Sequence, residues 1–316
     1  MSGADKNWNK KVVLFKIETT EGTDATPASA TDALQVLNLN PQFMDADFKV
    51  RNLELNYFGA KPSLPTSIKR GATFEMEMTG GATAGAAPGW MVPARIAGFA
   101  APVIVASTSA TISPITDAIP SGTLYQYVDD LLMQTIGARG SMGFTIEDDE
   151  IPVFNFNMLG RAPTALASQA VPTAPTLTGY PTPLIASTEN TVITIDGFAC
   201  GVRRWTMNSN GDLQYRSLIN PVDRVIMADR PWNGELVIQV PDLTAKDYFA
   251  KIRPGTTMVA NCVHGSVAGN IVTINCPKLQ IGGNVSISNE QGKIMATMPV
   301  TALPNAGNDE ITFAAT

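Results

Sequence analysis

Apolar and polar residues alternate with a period of two along most of this chain. Phe74-Glu75-Met76-Glu77-Met78 alternates apolar with acidic residues, and Phe154-Asn155-Phe156-Asn157-Met158 alternates apolar with amide residues. Glu235-Leu236-Val237-Ile238-Gln239-Val240 sets Leu236, Ile238 and Val240 on one side. This period predicts strands with one face in a core and the other on water or a partner. The β-branched runs 192–195 and 271–274 read the same way. Helical spacing is confined to two segments. Residues 89–99 carry Trp90, Met91, Ile96 and Phe99. Residues 243–252 offer Thr244 as N-cap, Asp247 at the capping-box position and an apolar stripe of Tyr248, Phe249 and Ile252. Residues 124–136 fit either a helix face or a hairpin turning at Asp129-Asp130.

A Pro-rich stretch carrying Pro163, Pro172, Pro175, Pro181 and Pro183 interrupts the pattern, and proline at that density favours an extended linker. It predicts a first domain over 1–165, a linker over 166–187 and a second domain over 188–316. The two halves repeat one order of features. The first has DFKVR (47–51), IKRG (68–71), the Phe74 strand, the 89–99 helix, GARGSMGFTIEDDE (137–150) and the Phe154 strand. The second has DLQYR (212–216), MADRP (227–231), the Leu236 strand, the 243–252 helix, QIGGNVSISNEQGK (280–293) and KIMATM (293–298). Two tandem copies of one β-rich unit account for this order. They also favour the hairpin for 124–136, because 272–281 in the second copy is strand-like.

Composition narrows the function. The chain has 316 residues, of which 22 are Lys or Arg and 28 Asp or Glu, for a net charge of −6 and 16% charged residues. A typical soluble domain carries about 25%. An acidic balance argues against a protein that grips nucleic acid through its phosphates. One His and three Cys exclude a disulfide framework and His-based metal cages. A surface poor in charge suits faces that meet other protein faces. The apolar stretch 90–106 contains Pro93, Arg95 and Pro102 and falls short of the ~20 residues of a membrane span. The polar start MSGADKNWNKK lacks a secretory signal, which predicts a soluble protein.

Four motifs are weighed for chemistry. Gly137-x-x-Gly140-x-x-Gly143 lacks the GxGxxG spacing and precedes a strand, so it reads as a hairpin turn. Cys200, Cys262, His264 and Cys276 lack zinc-site spacing and read as buried structural residues. His264 has no Ser or Asp partner arranged for nucleophilic work. Glu147-Asp148-Asp149-Glu150 lacks the calcium-loop spacing and reads as an exposed or lumen-side acidic hairpin tip.

TTEGTDATP (19–27), KRGATFEMEMTGGATAGAAPGWMVPARIAGF (69–99) and GARGSMGFTIEDDEIPVFNFNMLGRAP (137–163) give the chain a resemblance to the major tail proteins of long, flexible-tailed bacteriophages. In that family an alternating strand leads to a small-residue loop and a Pro-Trp helix ending in Gly-Phe; here these are Pro88, Trp90, Gly98 and Phe99. The resemblance is densest over 19–165 and 223–316. It implies a mainly β fold of two tandem tail-tube-type β-sandwich or half-barrel domains, each with one short flanking α-helix. It implies a structural virion protein, not an enzyme, that needs no cofactor and spans no membrane. Such subunits join inner sheets around a lumen, stack as rings and pass genomic dsDNA without specific binding. Two domains per chain imply trimeric, pseudo-hexameric rings; a hexamer with the second half as outward decoration is the alternative. The implied partners are further copies of the chain and tape-measure, tail terminator and distal tail proteins. The implied location is the virion tail, assembled in the cytoplasm of the bacterial host. A lumen that lets DNA slide needs neutral or acidic residues, so Glu75, Glu77, Asn155, Asn157, Glu235, Gln239 and Thr297 are the lumen-facing candidates. Ring stacking points to the loop 57–69, with Tyr57, Phe58, Pro62, Leu64 and Pro65, and to Trp8, Phe15 and the ITFAAT of 311–316. The competing reading is a carbohydrate- or receptor-binding β-sandwich, an adhesin or tail fibre protein.

Overall fold

The computed structural model describes residues 5–163, 166–177, 179–219 and 222–316. The first half contains β1 Lys11–Ile17, β2 Ala33–Leu34, β3 Leu37–Val50, β4 Ser63–Glu77, the helical turn α1 Met91–Ala94, β5 Val103–Val105, β6 Ser109–Ile112, β7 Gly122–Val128, β8 Leu131–Glu147 and β9 Val153–Arg161. The Pro-rich stretch carries only β10 Ala167–Ser168 among its described residues, and the domain boundary expected at residue 165 lies outside them. The second half contains β11 Thr191–Ile195, β12 Phe198–Ala199, β13 Val202–Asn208, β14 Leu213–Leu218, β15 Val222–Met227, β16 Trp232–Gln239, β17 Met258–His264, β18 Val272–Ile281, β19 Ser286–Glu290, β20 Lys293–Ala302 and β21 Thr312–Ala315.

Both halves are curled antiparallel sheets with one pairing order. The first runs β1-β7-β8-β9-β4-β3. The second runs β11-β17-β18-β20-β16-β13. β8 then pairs with β13, so the two sheets continue into each other. β21 lies between β18 of the second half and β6 of the first and laces the halves together a second time.

Alternation sets the core. Phe74, Met76, Met142, Phe144, Phe154, Phe156, Trp205, Leu236, Ile238 and Met298 all point to the closed side of the sheet and are buried. Phe313 of β21 sits at the centre. Its ring lies 6.0 Å from Trp90, 5.6 Å from Phe99, 6.1 Å from Phe144, 5.5 Å from Phe154 and 6.2 Å from Trp232. Most of these contacts are edge-to-face, which favours the aromatic quadrupoles.

The structure corrects four local expectations. The 89–99 helix is a single turn over Met91–Ala94 that tightens to a 3₁₀ turn at Arg95–Ala97 and ends at Gly98, whose φ of +88° a side chain would resist. The 243–252 helix is only a 3₁₀ turn at Phe249–Lys251. Asp242 takes the N–H and hydroxyl of Thr244 and holds that segment in a turn, so Thr244 caps nothing; Asp247 instead accepts the N–H of Ala250 at 3.0 Å. The Gly137–Gly140–Gly143 run is no hairpin turn. It lies inside β8, where a bulge between Ile136 and Arg139 uses the positive φ of Gly137. The loop placed at 57–69 spans 51–62, and β4 starts at Ser63 because 63–68 pair with β3. Residues 124–136 form the hairpin, with Asp129 at φ +53° in the turn.

The 19–27 loop is anchored by charge. Glu18, 8% exposed, accepts from Gly22 N at 2.7 Å, Ser121 Oγ at 2.6 Å, Thr123 Oγ1 at 2.9 Å and Gly137 N at 2.7 Å. A buried carboxylate is tolerated when its lone pairs are filled in this way.

Phe313→Ala removes the ring that both halves share. It should cost about 3–5 kcal/mol in guanidinium unfolding; a loss under about 1 kcal/mol would mean that the halves hold together without it.

Candidate functional site

The face of the joined sheet opposite the core is a continuous polar surface running across both halves. Its rows follow from the pairing. Glu75 faces Asn155, then come Gly143, Asn208, Asn233 and Thr301. Glu77 faces Val153, followed by Thr145, Thr206, Glu235 and Pro299. Glu147, Arg204, Val237, Thr297 and Ser286 form a third row. Thr73, Asn157 and Ser141 flank these on one side; Gln239, Met295 and Ser288 flank them on the other. The seven polar candidates Glu75, Glu77, Asn155, Asn157, Glu235, Gln239 and Thr297 therefore share one face.

Side chains on this face bond to one another. Asn38 Nδ2 donates to Glu75 at 2.7 Å, Asn155 Nδ2 to Thr145 at 3.2 Å and Thr301 Oγ1 to Asn233 at 2.8 Å. The rows carry the carboxylates of Glu75, Glu77, Glu147 and Glu235 and one guanidinium, Arg204. The sequence reading missed Arg204. Its Nη2 donates to Glu235 Oε1 at 2.5 Å, and that bond, with the fields of Glu235 and Glu147, holds its pKa above the ordinary arginine value. The positive charge is thus paired within the face. Trp205 was the available signal: a core tryptophan in a strand puts its neighbour Arg204 on the opposite face.

Two ribbons project from this sheet. Beyond the Lys69–Arg161 pair, β4 bonds only to β3 among the described residues. The resulting arm exposes Phe43, Met44, Phe48, Val50, Tyr57, Leu64 and Ile68, with Phe58 fully in solvent. Pro62 and Pro65 are exposed beside them. The arm's counterpart in the second half is the hairpin of β14 with β15. Leu218 and Ile219 are exposed near its tip, yet its strand β15 folds back on the first half. There Val225 is buried, Arg161 Nη1 lies 3.3 Å from Asp223, and Arg139 Nη1 donates to the carbonyl of Val225 and, at 2.7 Å, to Glu21. Lys69 at the root of the first arm lies 3.2 Å from Asp47 and 3.9 Å from Asp45. Trp8 is exposed under the ammonium of Lys11, 3.9 Å from its ring. Phe15 and the 311–316 segment are corrections: Phe15 is 1% exposed, because the alternation of β1 turns it into the core against Leu124, and Ile311 and Phe313 are 0% exposed, so neither is available for docking.

The residues weighed for metal or nucleophilic chemistry do not converge. Cys262 and Cys276 are buried in β17 and β18 and Cys200 is partly buried. Burial pushes the Cys262 thiol up to about 12 and raises Cys276 and Cys200 as well. His264 shares a 2.8 Å hydrogen bond with the Thr191 hydroxyl, and burial lowers its pKa toward the neutral ring. Asp148 and Asp149 turn in solvent between β8 and β9. Among the described residues no group of three or more His, Cys, Asp or Glu side chains is placed to hold a metal ion, and no helix is long and apolar enough to cross a membrane.

The chain matches the family described as phage tail tube protein over residues 8–302. No curated protein matches it.

The thiols give a direct check on this burial. At pH 8 the folded protein should react with a disulfide reagent slowly and well short of its three cysteines, and reach three on unfolding; rapid reaction of all three in the native state would contradict the packing of β17 on β18.

Proposed function

The chain belongs to the phage tail tube protein family, and from that premise we propose that it polymerises into stacked rings that form the tail tube, with its polar sheet face lining the lumen through which genomic dsDNA is ejected. The observation that carries this reading is the single polar face spanning both halves, on which the one guanidinium of the rows is already paired to a carboxylate. Duplex DNA carries a phosphate charge per ~1.7 Å, and free basic groups along a conduit would hold it by counterion release. Amides, hydroxyls and carboxylates leave it free to slide.

The repeated pairing order supports residues 1–165 and 188–316 as two tube units, so three chains would close a pseudo-hexameric ring. The apolar arm of β3 and β4 is the ring-stacking element in this reading. A two-stranded ribbon is marginal in water by itself, and Phe58, Tyr57 and Leu64 supply the anchors for a neighbouring ring. Tape-measure, terminator and distal tail proteins are the partners that such a tube requires, and the host cytoplasm is the place of assembly.

Two experiments test it. Glu75→Lys with Glu77→Lys puts unpaired ammonium groups on the face; tubes should still form while DNA ejection slows or stops, and unchanged infectivity would remove both residues from the lumen. Tyr57→Ser, Phe58→Ser and Leu64→Ser together should shift monomer stability by no more than about 0.5 kcal/mol per site yet abolish tubes in negative-stain images. Wild-type tubes from that variant would exclude the arm as the stacking element.

A further inference from the structure

We infer that β19 of one copy pairs antiparallel with β3 of the next, in the register that β8 and β13 already use inside the chain. The inference rests on the tube reading and specifies its ring joint.

The common pairing order makes β18 with β19 the counterpart of β8, and β3 the counterpart of β13. Inside the chain, β8 meets β13 through Glu147 to Arg204, Thr145 to Thr206 and Gly143 to Asn208. At the two ends of the same sheet the corresponding edges are open. Among the described residues β19 pairs only with β20, and β3 only with β4. Open edges present unpaired N–H and C=O groups that template another strand.

The side chains at the two sites differ in what covers them. β8 and β19 each end on the glutamate that opens the next hairpin, Glu147 and Glu290. Counting back, Phe144 corresponds to Ile287, Thr145 to Ser288 and Gly143 to Ser286. Phe144 is 0% exposed, with Trp205 of β13 edge-on at 5.2 Å. Ile287 points to the same side, opposite the buried Ala296, but is 66% exposed. Ile294, opposite Asn289 on that side, is also exposed. Two isoleucines on the core side of a sheet stand in water where the first half has its neighbour's tryptophan. A second copy of this chain brings β3 to that place, with Leu39 in the position of Trp205.

The register follows strand by strand. Thr145 leads through Val153 to Glu77; Ser288 leads through Met295 to Gln239. Glu77 therefore matches Gln239, and Thr73 matches Glu235. Thr206 faces Glu235 and Asn40 faces Thr73, so Asn40 takes the place of Thr206. By the same steps Gln42 takes the place of Asn208. The joint pairs Ser288 with Asn40 and Ser286 with Gln42, and Glu290 falls at the bulge beside Leu37. It lacks both the Phe144–Trp205 contact and a guanidinium in the place of Arg204, so it is the weaker joint and forms with rising concentration.

Cross-linking reads this register. Ser288→Cys with Asn40→Cys, in the full chain, should give covalent multimers on oxidation of assembled tubes, while each single variant and the opposite-face pair Asn289→Cys with Asn40→Cys should not. Thr145→Cys with Thr206→Cys calibrates the chemistry, because that pair should close within one chain at any concentration. Ile287→Asp, at an exposed position, should leave the unfolding midpoint unchanged and abolish assembly. Tubes that form without the Ser288–Asn40 cross-link while the calibrating pair closes, or normal tubes from Ile287→Asp, overturn the joint and leave the tube function standing. A wild-type chain that stays monomeric at every concentration overturns both.

Discussion

The packing of both halves around the ring of Phe313 is the constraint on which the rest depends. Trp90, Phe99, Phe144 and Phe154 reach it from the first half and Trp232 from the second. Each half-sheet alone would leave part of this aromatic surface in water, at roughly 25 cal/mol per Å² of apolar area. Sharing it makes one body of two units, fixes β8 against β13, and so determines which residues stand on the far side. A strand that slipped by one residue there would carry Phe144 and Trp205 out of the core and the polar rows into it. The character of the outer face is thus enforced by the inner one.

Two charged groups in the interior are each held by several partners. Arg230 links the halves by donating to the carbonyls of Gly98 and Ile115, both at 2.7 Å, and to Glu310 at 2.8 Å. The Gly98 carbonyl stands at the end of the 3₁₀ turn, where helical carbonyls lack internal partners. Removing one member of such a set would strand the others, which is a larger penalty than the set's own net stabilisation. Glu18 does the same for the loop 19–27 and the Gly137 bulge. These two groups account for much of why irregular backbone keeps a fixed place beside the sheet.

Period-two alternation in the sequence was enough to assign β4, β9, β16 and β20 and their polar faces, because a strand's side-chain direction is a local property. The order of features in the two halves was read from the same alternation: most of DFKVR lies on β3, which ends at Val50, and most of DLQYR on β14, which starts at Leu213. Helix length was not legible. Apolar spacing in 243–252 is compatible with a helix, but the Asp242 turn and the Arg253-Pro254-Gly255 exit compete with it, and the 3₁₀ turn is what remains. Phe15 was misread because an aromatic near a chain's start looks like an anchor until its strand partner is known. Arg204 was missed because its role depends on which strand lies alongside, and sequence alone does not contain that information. The placement of β21 between two halves is the extreme case, since β6 and β21 are some two hundred residues apart in sequence.

Low charge and exposed apolar arms are two sides of one problem. A monomer that shows Phe58, Ile219, Ile287 and the all-exposed edge strand β5 carries patches that ordinarily invite aggregation. More surface charge would suppress that, but in the proposed tube like charges on facing surfaces would oppose assembly at short range, where screening over a Debye length of ~8 Å is weakest. In the proposed tube the acidic groups on the polar face would escape this conflict, because that face would line the lumen and take no part in a joint between copies. Carboxylates there would contribute solubility to the free chain without weakening a joint, and in the proposed tube the same charge would keep phosphate at a distance.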